Sequence, residues 1–181
     1  MDKYERLISK FRKLAELERF TVLVGWIDGN NTARIAYENL QSVKKSGKPA
    51  KSPGLPPSNA LIARTLNYGR LAGTTAQGRK YPEIPARPFM KFAKEGFDAI
   101  REKIIARNVP LVLAGKMSVE RFAKFIGAAY KDEVTRAIRD SSRYPSPSDA
   151  TIKARRRHGS SSSVPLIDTH QLVDSVSFEV K

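Results

Sequence analysis

The sequence predicts an α+β fold in which a small antiparallel or mixed sheet is packed by two long helices, with long flexible loops. Apolar residues repeat at helical spacing near the N-terminus and in two long segments of the second half. Two short stretches rich in β-branched and aromatic residues lie towards the two ends of the chain. At 181 residues the chain fits a single α+β domain, residues 1–181.

The N-terminal half begins with an amphipathic helix at residues 2–18. Its apolar face consists of Tyr4, Leu7, Ile8, Phe11, Leu14, Ala15 and Leu17. Residues 20–27 follow and predict a buried strand. Further on, Ser58 is a suitable N-cap for a helix of about ten residues that ends at Tyr68 and Gly69.

The second half contains two long helices. The first is opened by Arg87, Pro88 and Phe89, with the proline near its first turn, where a missing N–H costs little, and it is expected to break at residues 108–110. Ser118 caps the second, which ends before residue 144. Its apolar face consists of Val119, Phe122, Ala123, Ile126, Tyr130, Val134, Ala137 and Ile138.

Two residues of the second long helix depart from this pattern. Gly127 lies inside the helix, although glycine costs about 1 kcal/mol there relative to alanine, and this predicts that another element approaches closely. Phe125 falls off the main apolar face. It is therefore the best candidate for a contact between subunits.

Three segments predict loops. Residues 42–57 contain Lys, Ser, Gly and Pro with few apolar residues, and they predict a flexible basic loop. Residues 70–85 form a second loop. Residues 143–164 form a basic, Ser-rich loop that contains a short basic turn or helix at 149–157.

The last sixteen residues before the terminal lysine predict a turn, a short helical cap and a strand. Asp168 and Thr169 supply side-chain oxygens that can cap backbone N–H groups. After them, Val176, Phe178 and Val180 alternate with polar residues, as in a strand with one buried face. Such a strand must pair with residues 20–27 of its own subunit or with a neighbouring subunit.

The formal net charge of +15 favours a polyanionic partner or neighbour. Two basic clusters are candidate contacts with DNA or an acidic protein, although solvated loop charge is an equally good interpretation of each. No aromatic residues are interleaved with them, so binding is expected to be independent of sequence. The candidates are Lys44, Lys45, Lys48, Lys51, Lys153, Arg155, Arg156 and Arg157.

The sequence offers little for catalysis. There are no cysteines and two histidines. Asp168, His170 and Ser175 lie within eight residues of one another, and turn or cap roles explain them better than a nucleophilic site or a metal site does. We expect no enzymatic activity, no cofactor and no metal. Since no apolar run is long enough for a membrane span and no signal peptide is evident, we expect synthesis in a cytoplasm.

Three separated motifs together resemble the tail-completion or neck proteins of long-tailed bacteriophages, a group that includes minor tail protein Z and Mu-type virion morphogenesis proteins. The first is Leu61–Gly69, a helix that ends in an aromatic–glycine pair. The second is Ile84–Phe89, with the pattern Pro-x-Arg-Pro-Phe. The third is Pro165–Val176, in which His170 replaces the glycine usual after Asp-Thr. The candidate assembly residues in these motifs are Tyr68, Gly69, Pro85, Arg87, Pro88, Phe89, Asp168 and Thr169.

The resemblance implies a non-enzymatic structural protein of the virion neck or tail, assembled in the host cytoplasm. It implies a ring, expected to be a hexamer, that acts in tail completion, tail termination or head–tail joining. The expected partners are further copies of the chain, neighbouring connector, tail tube or terminator proteins, and packaged DNA in the lumen, with no membrane involved. The alternative function is sequence-independent nucleic-acid binding.

Overall fold

The structure, a computed structural model, describes residues 3–27, 58–157, 160–168 and 170–181. Within these ranges the chain is a mixed helical and sheet fold, as predicted. Its elements are α1 (Lys3–Arg19), β1 (Val22–Gly25), α2 (Asn59–Tyr68), β2 (Gly73–Thr74), β3 (Lys80–Tyr81), α3 (Phe89–Leu113), α4 (Val119–Arg139), α5 (Asp149–Arg157), α6 (Gln171–Asp174) and β4 (Ser177–Val180). The predicted basic loop at 42–57 lies outside the described residues.

Strands β1 and β4 form an antiparallel pair, with Val22 opposite Val180 and Gly25 opposite Ser177. Backbone hydrogen bonds between Thr21 and Lys181, at 2.8 and 2.9 Å, extend the ladder by one residue. The C-terminal strand therefore pairs within its own subunit, which was one of the two predicted alternatives.

Helix α4 packs against this sheet and also against α3. The predicted apolar face of α4 is the buried one, and Val134 and Ile138 on it are completely inaccessible. A Cβ atom added at Gly127 would collide with the ring of Phe178 on β4. The close approach predicted from this glycine is therefore the contact between α4 and the sheet.

Two apolar clusters hold these elements together. The larger cluster joins α3, α4 and the C-terminal segment around Phe89 and Ile138, and the edge of the Trp26 ring meets Phe89 with ring centres 5.6 Å apart. The smaller cluster lies around Val112 and Phe122, and Leu17 of α1 packs against it. Burying each large side chain contributes about 1.5–3 kcal/mol.

The predicted break at residues 108–110 is wrong, because α3 continues through Pro110 to Leu113. A proline inside a helix costs about 3 kcal/mol. Tertiary packing offsets this cost, since the turn after the proline carries the fully buried Val112. The buried side chain of Asn108 also donates to the Ile104 carbonyl at 2.8 Å, which stabilises the helix just before the proline.

Two predicted loops contain regular structure. Residues 70–85 form a hairpin of β2 and β3, closed by reciprocal 2.8 Å backbone hydrogen bonds between Arg70 and Ile84. Residues 143–164 contain α5, the short basic helix considered in the sequence. Such short strands of Gly, Thr, Lys and Tyr bury too little surface to produce an apolar pattern, so the sequence predicts only a loop at 70–85.

Candidate functional site

Helix α1 exposes its large apolar side chains. Tyr4 is 72% exposed, Phe11 63% and Leu7 51%, and Ile8 and Leu14 extend the same stripe and are also exposed. We call these five residues the α1 stripe. A contiguous group of large exposed apolar side chains is typical of a surface that another molecule covers.

The opposite side of α1 faces the body of the protein. Its partly buried residues include Ser9, Lys13 and Leu17, which lie four residues apart and therefore on one line along the helix. Leu17 packs against the smaller apolar cluster, and the Lys13 ammonium lies near Gly115. The helix thus turns a largely polar line inwards and its apolar stripe outwards.

An apolar groove of about 250 Å³ lies beside the C-terminal end of α1. Its walls include Leu17, Phe20, Phe97, Ile105, Phe122 and Ile126. On α4, Phe125 is 49% exposed, which agrees with its predicted position off the buried face. Together with the α1 stripe, these residues give the protein an apolar helix face and an apolar groove, both accessible to solvent.

The first two sequence motifs meet between the end of α2 and the start of α3. The backbone N–H of Arg87 donates to the Leu66 carbonyl at 2.9 Å. The backbone N–H of Met90 donates to the side-chain oxygen of the buried Asn67 at 3.1 Å, and Pro88 occupies the N-cap position without a side-chain cap. Asn67 thus satisfies one of the free donors at the start of α3. Sequence reasoning missed this role, since the cap comes from another helix.

The two residues of the aromatic–glycine pair at the end of α2 have different environments. Gly69 has φ 76°, and a Cβ atom there would lie 2.7 Å from the Ile84 carbonyl oxygen. A side chain would therefore both strain the backbone and collide with the second motif. Tyr68 is 76% exposed and remains available for contact. Pro85 is also exposed, whereas Phe89 is fully buried.

The third motif is anchored to both α2 and the sheet. The Gln171 side-chain amide donates to the Asn59 side-chain oxygen at 3.0 Å. The Trp26 indole N–H donates to the Leu172 carbonyl at 3.0 Å. Since Trp26 also contacts Phe89 of the second motif, all three motifs belong to one junction, which is the larger apolar cluster and its polar edge.

His170 adopts the left-handed conformation, with φ 60° and ψ −8°, at the N-cap position of α6. It makes no side-chain cap hydrogen bond. The carboxylate of Asp168, predicted to cap, lies instead 3.9 Å from the Arg155 Nε atom. Thr169 lies outside the described residues.

Arg155 does not belong to a basic contact surface. Its side chain is 10% exposed, and its guanidinium donates to the carbonyls of Ser162, Val164, Pro165 and Ile167 at 2.7–3.1 Å. Its donors therefore hold the segment that leads into the third motif, a role that the sequence did not predict for this residue.

The other basic residues of α5 are exposed. Lys153, Arg156 and Arg157 project into solvent and remain candidates for contact with DNA or an acidic protein. Lys44, Lys45, Lys48 and Lys51 lie outside the described residues. Arg87 is buried, and burial together with the charge of Arg155 lowers its pKa from the ordinary arginine value.

The arrangement around Ser175 does not suit nucleophilic chemistry. Ser175 is buried, and its hydroxyl donates to the Gln171 carbonyl at 2.6 Å, which supports the turn after α6.

In the part of the chain that the structure describes, no group of three His, Asp or Glu residues is placed to hold a metal ion. Each described helix is too short or too polar to cross a bilayer.

Comparison of the chain with protein-family models, with curated proteins and with solved structures finds no match.

Proposed function

We propose that this chain is a structural protein of the neck or tail end of a long-tailed bacteriophage, where it forms an oligomeric ring in tail completion, tail termination or head–tail joining. The observation that carries the proposal is the α1 stripe, which leaves an amphipathic helix without a covering element among the described residues. The resemblance of the three motifs to tail-completion and neck proteins supplies the biological setting.

The contact between copies is heterologous in this proposal. The α1 stripe of one copy lies against the apolar groove beside α1 of the next, and repetition of this contact closes a ring. Both surfaces are apolar, so burial drives association in spite of the positive net charge. A six-fold ring is the expectation from the resemblance.

The basic residues then face the lumen or an adjacent ring. Lys153, Arg156 and Arg157 neutralise phosphates of packaged DNA or acidic side chains of a connector, tail tube or terminator protein. Such contacts need no base recognition, because contacts with phosphates carry no sequence information.

Native mass spectrometry of the purified chain, alone and with the neighbouring tail tube protein, tests the ring. We expect a closed oligomer for the unaltered chain and a monomer for Phe11→Glu, which places a charge in the α1 stripe. Lys10→Glu, on the same helix but outside the stripe, is the matched control and should keep the oligomer. A chain that is monomeric alone and with its neighbour would contradict the ring.

Electron microscopy of particles that lack the protein tests the virion role. Heads and tails should fail to join, or tails should have an aberrant end. Normally joined and infectious particles would exclude a neck or tail-completion function.

A second candidate function is sequence-independent nucleic-acid binding, which the net charge of +15 and the exposed α5 residues favour. In this case the logarithm of the binding constant for a DNA duplex falls linearly with the logarithm of salt concentration. Replacing Lys153, Arg156 and Arg157 by Gln should reduce that slope by about 0.9 for each phosphate that the protein no longer neutralises. Absence of duplex binding at low salt would remove this candidate.

A further inference from the structure

Arg87 is 7% exposed, and its buried Nε atom finds no hydrogen-bond acceptor among the described residues. The described residues provide no ion pair to its guanidinium either. A buried charge is costly unless it is paired and hydrogen-bonded, so this arrangement needs an explanation.

Arg87 lines a cavity of about 400 Å³ at the motif junction. Arg155 lines the same cavity, and its positive charge lowers the pKa of the Arg87 guanidinium, after the larger effect of burial. Prolines and a leucine form much of the remaining wall: Leu66, Pro82, Pro85, Pro147 and Pro165. The cavity therefore combines two guanidinium groups with rigid apolar walls.

A third positive feature reaches the cavity from α5. Ser148 and Thr151 line it, and they lie at the N-terminal turn of this helix, where the partial positive charge of the backbone is partly offset by the carboxylate of Asp149 in the same turn. The charge of Arg155 is already compensated by four carbonyls and by the carboxylate of Asp168. The uncompensated charge in the cavity is thus the single charge of Arg87.

The acidic residue of the wall is Glu83, which is exposed and forms no ion pair with the described residues. The cavity wall therefore carries two guanidinium groups and one carboxylate, and no carboxylate of the described residues pairs with Arg87. A group that enters it must be anionic, must accept hydrogen bonds from a guanidinium, and must tolerate proline on its other sides.

We propose that this cavity is a carboxylate-binding site in which Arg87 is the main residue that binds the carboxylate. A carboxylate carries the one negative charge that compensates Arg87, and its two oxygens match the paired donors of a guanidinium. The apolar walls accommodate the carbon atoms attached to it. The proposal does not depend on the ring or on a phage origin, because it rests on the interior of one chain.

The direct probe is the side-chain Nε–H signal of Arg87 in a ¹⁵N NMR spectrum. The signal that disappears in the Arg87→Lys variant is assigned to Arg87. Acetate is titrated at constant ionic strength, with sodium chloride making up the difference. We expect the Arg87 signal to move with a saturable dependence on acetate, while the signal of the exposed Arg107 does not. No saturable movement would overturn the proposal, and tighter saturation by inorganic phosphate would overturn the carboxylate assignment.

Thermal unfolding provides an independent test. Acetate should raise the melting temperature of the unaltered chain by about 2–4 °C, because a ligand of the folded state stabilises it. Arg87→Met should abolish that rise, and Arg107→Met, which removes an exposed arginine, should keep it. An equal rise in all three proteins would identify a general solvent effect and contradict a site at Arg87.

Glu83→Gln distinguishes an external carboxylate from an internal one. If the cavity takes an external ligand, removing this acidic competitor at its edge strengthens the acetate response. If Glu83 itself turns inwards to pair with Arg87, the unaltered chain shows no acetate response and Glu83→Gln lowers the melting temperature in acetate-free buffer. The second result would overturn the proposal.

Discussion

Helices α1 and α4 have the same kind of apolar periodicity and opposite environments. On α4 the apolar face is buried between α3 and the sheet, with Val134 and Ile138 inaccessible. On α1 the apolar stripe faces solvent, with Tyr4 and Phe11 mostly exposed. A helical period therefore identifies a face to be covered, but it does not identify what covers that face.

The two helices also differ in the residues that allow close packing. Helix α4 has Ala123, Gly127 and Ala137 on its buried side, and Gly127 lets β4 approach closely. The α1 stripe is made of large side chains only. Large side chains fill a groove in another surface better than they accept a helix at short distance, which suits an intermolecular contact.

The largest change in the free energy of unfolding is expected for a substitution on the buried face of α4. Ile138→Ala removes a fully buried side chain from the larger apolar cluster and should lower the free energy of unfolding by about 2–5 kcal/mol. Leu7→Ala on the α1 stripe is the control, with an expected change below about 0.5 kcal/mol for the monomer. Urea denaturation measures both. Equal losses would show that the α1 stripe is also part of the folded core.

The next largest effect is expected in the pH dependence of the free energy of unfolding, through a buried tyrosine. Burial, with a further contribution from Asp140, raises the pKa of the Tyr144 phenol to about 12, and its hydroxyl donates to the Ala137 carbonyl of α4 at 2.6 Å. The phenol of the unfolded chain ionises near pH 10. The contribution of Tyr144 to the free energy of unfolding is therefore fully present below pH 10. This contribution falls by about 2 kcal/mol as the pH rises towards 12.

Tyr144→Phe should flatten the pH dependence of stability between pH 10 and 12. Burial also raises the pKa of Tyr130, so some dependence should remain in this variant. Denaturant midpoints at a series of pH values provide the measurement. A profile unchanged by the substitution would contradict the role of Tyr144.

Gly127→Ala measures how close α4 lies to the sheet. Its new methyl group collides with the Phe178 ring, and overpacking of this kind costs about 1–3 kcal/mol. Helix propensity alone predicts the opposite sign, a gain of about 1 kcal/mol. The direction of the change in melting temperature therefore decides whether the tight contact exists, and a rise would contradict it.

A smaller effect is expected at the junction of the motifs. His170→Gly should raise the free energy of unfolding by about 0.5–1 kcal/mol, because the left-handed backbone at φ 60° suits glycine. His170→Ala serves as the control, since it removes the imidazole and keeps the Cβ atom. If alanine stabilised as much as glycine, the imidazole and not the backbone would be the cause.

The smallest change in monomer stability is expected on the α1 stripe. Phe11→Glu should alter the free energy of unfolding of the monomer by less than about 0.5 kcal/mol, because its side chain is 63% exposed. The same substitution should abolish the oligomer in native mass spectrometry. Denaturation at low protein concentration measures the first quantity. A large loss of monomer stability would show that the α1 stripe is buried in the monomer, as the apolar face of α4 is.

Much of the fold follows from local signals. The sequence predicts N-caps at Ser58 and Ser118, and both side chains accept the expected backbone hydrogen bonds, from Leu61 and Arg121. Gly127 predicts a close approach correctly. The course of α3 through Pro110 could not be predicted, because Val112 is buried in a cluster that includes residues of other helices, Phe122 of α4 and Leu17 of α1.

The candidate sites are less accessible to sequence reasoning. Arg155 and Arg156 are neighbours in a basic run, and nothing in the run distinguishes the arginine that binds four carbonyls from the one exposed to solvent. The α1 stripe is visible as a pattern in the sequence, but its exposure is not. The isolation of Arg87 depends on which groups surround it in three dimensions.

By itself the sequence determined the α+β class, the positions of the main helices, the pairing need of the C-terminal strand and the basic character, because these depend on local periodicity, caps and composition. Which apolar face is buried, which arginine binds backbone carbonyls and which arginine lacks a partner among the described residues depend on the tertiary structure. Burial and electrostatic pairing are properties of residues brought together from distant parts of the chain, so no local pattern specifies them.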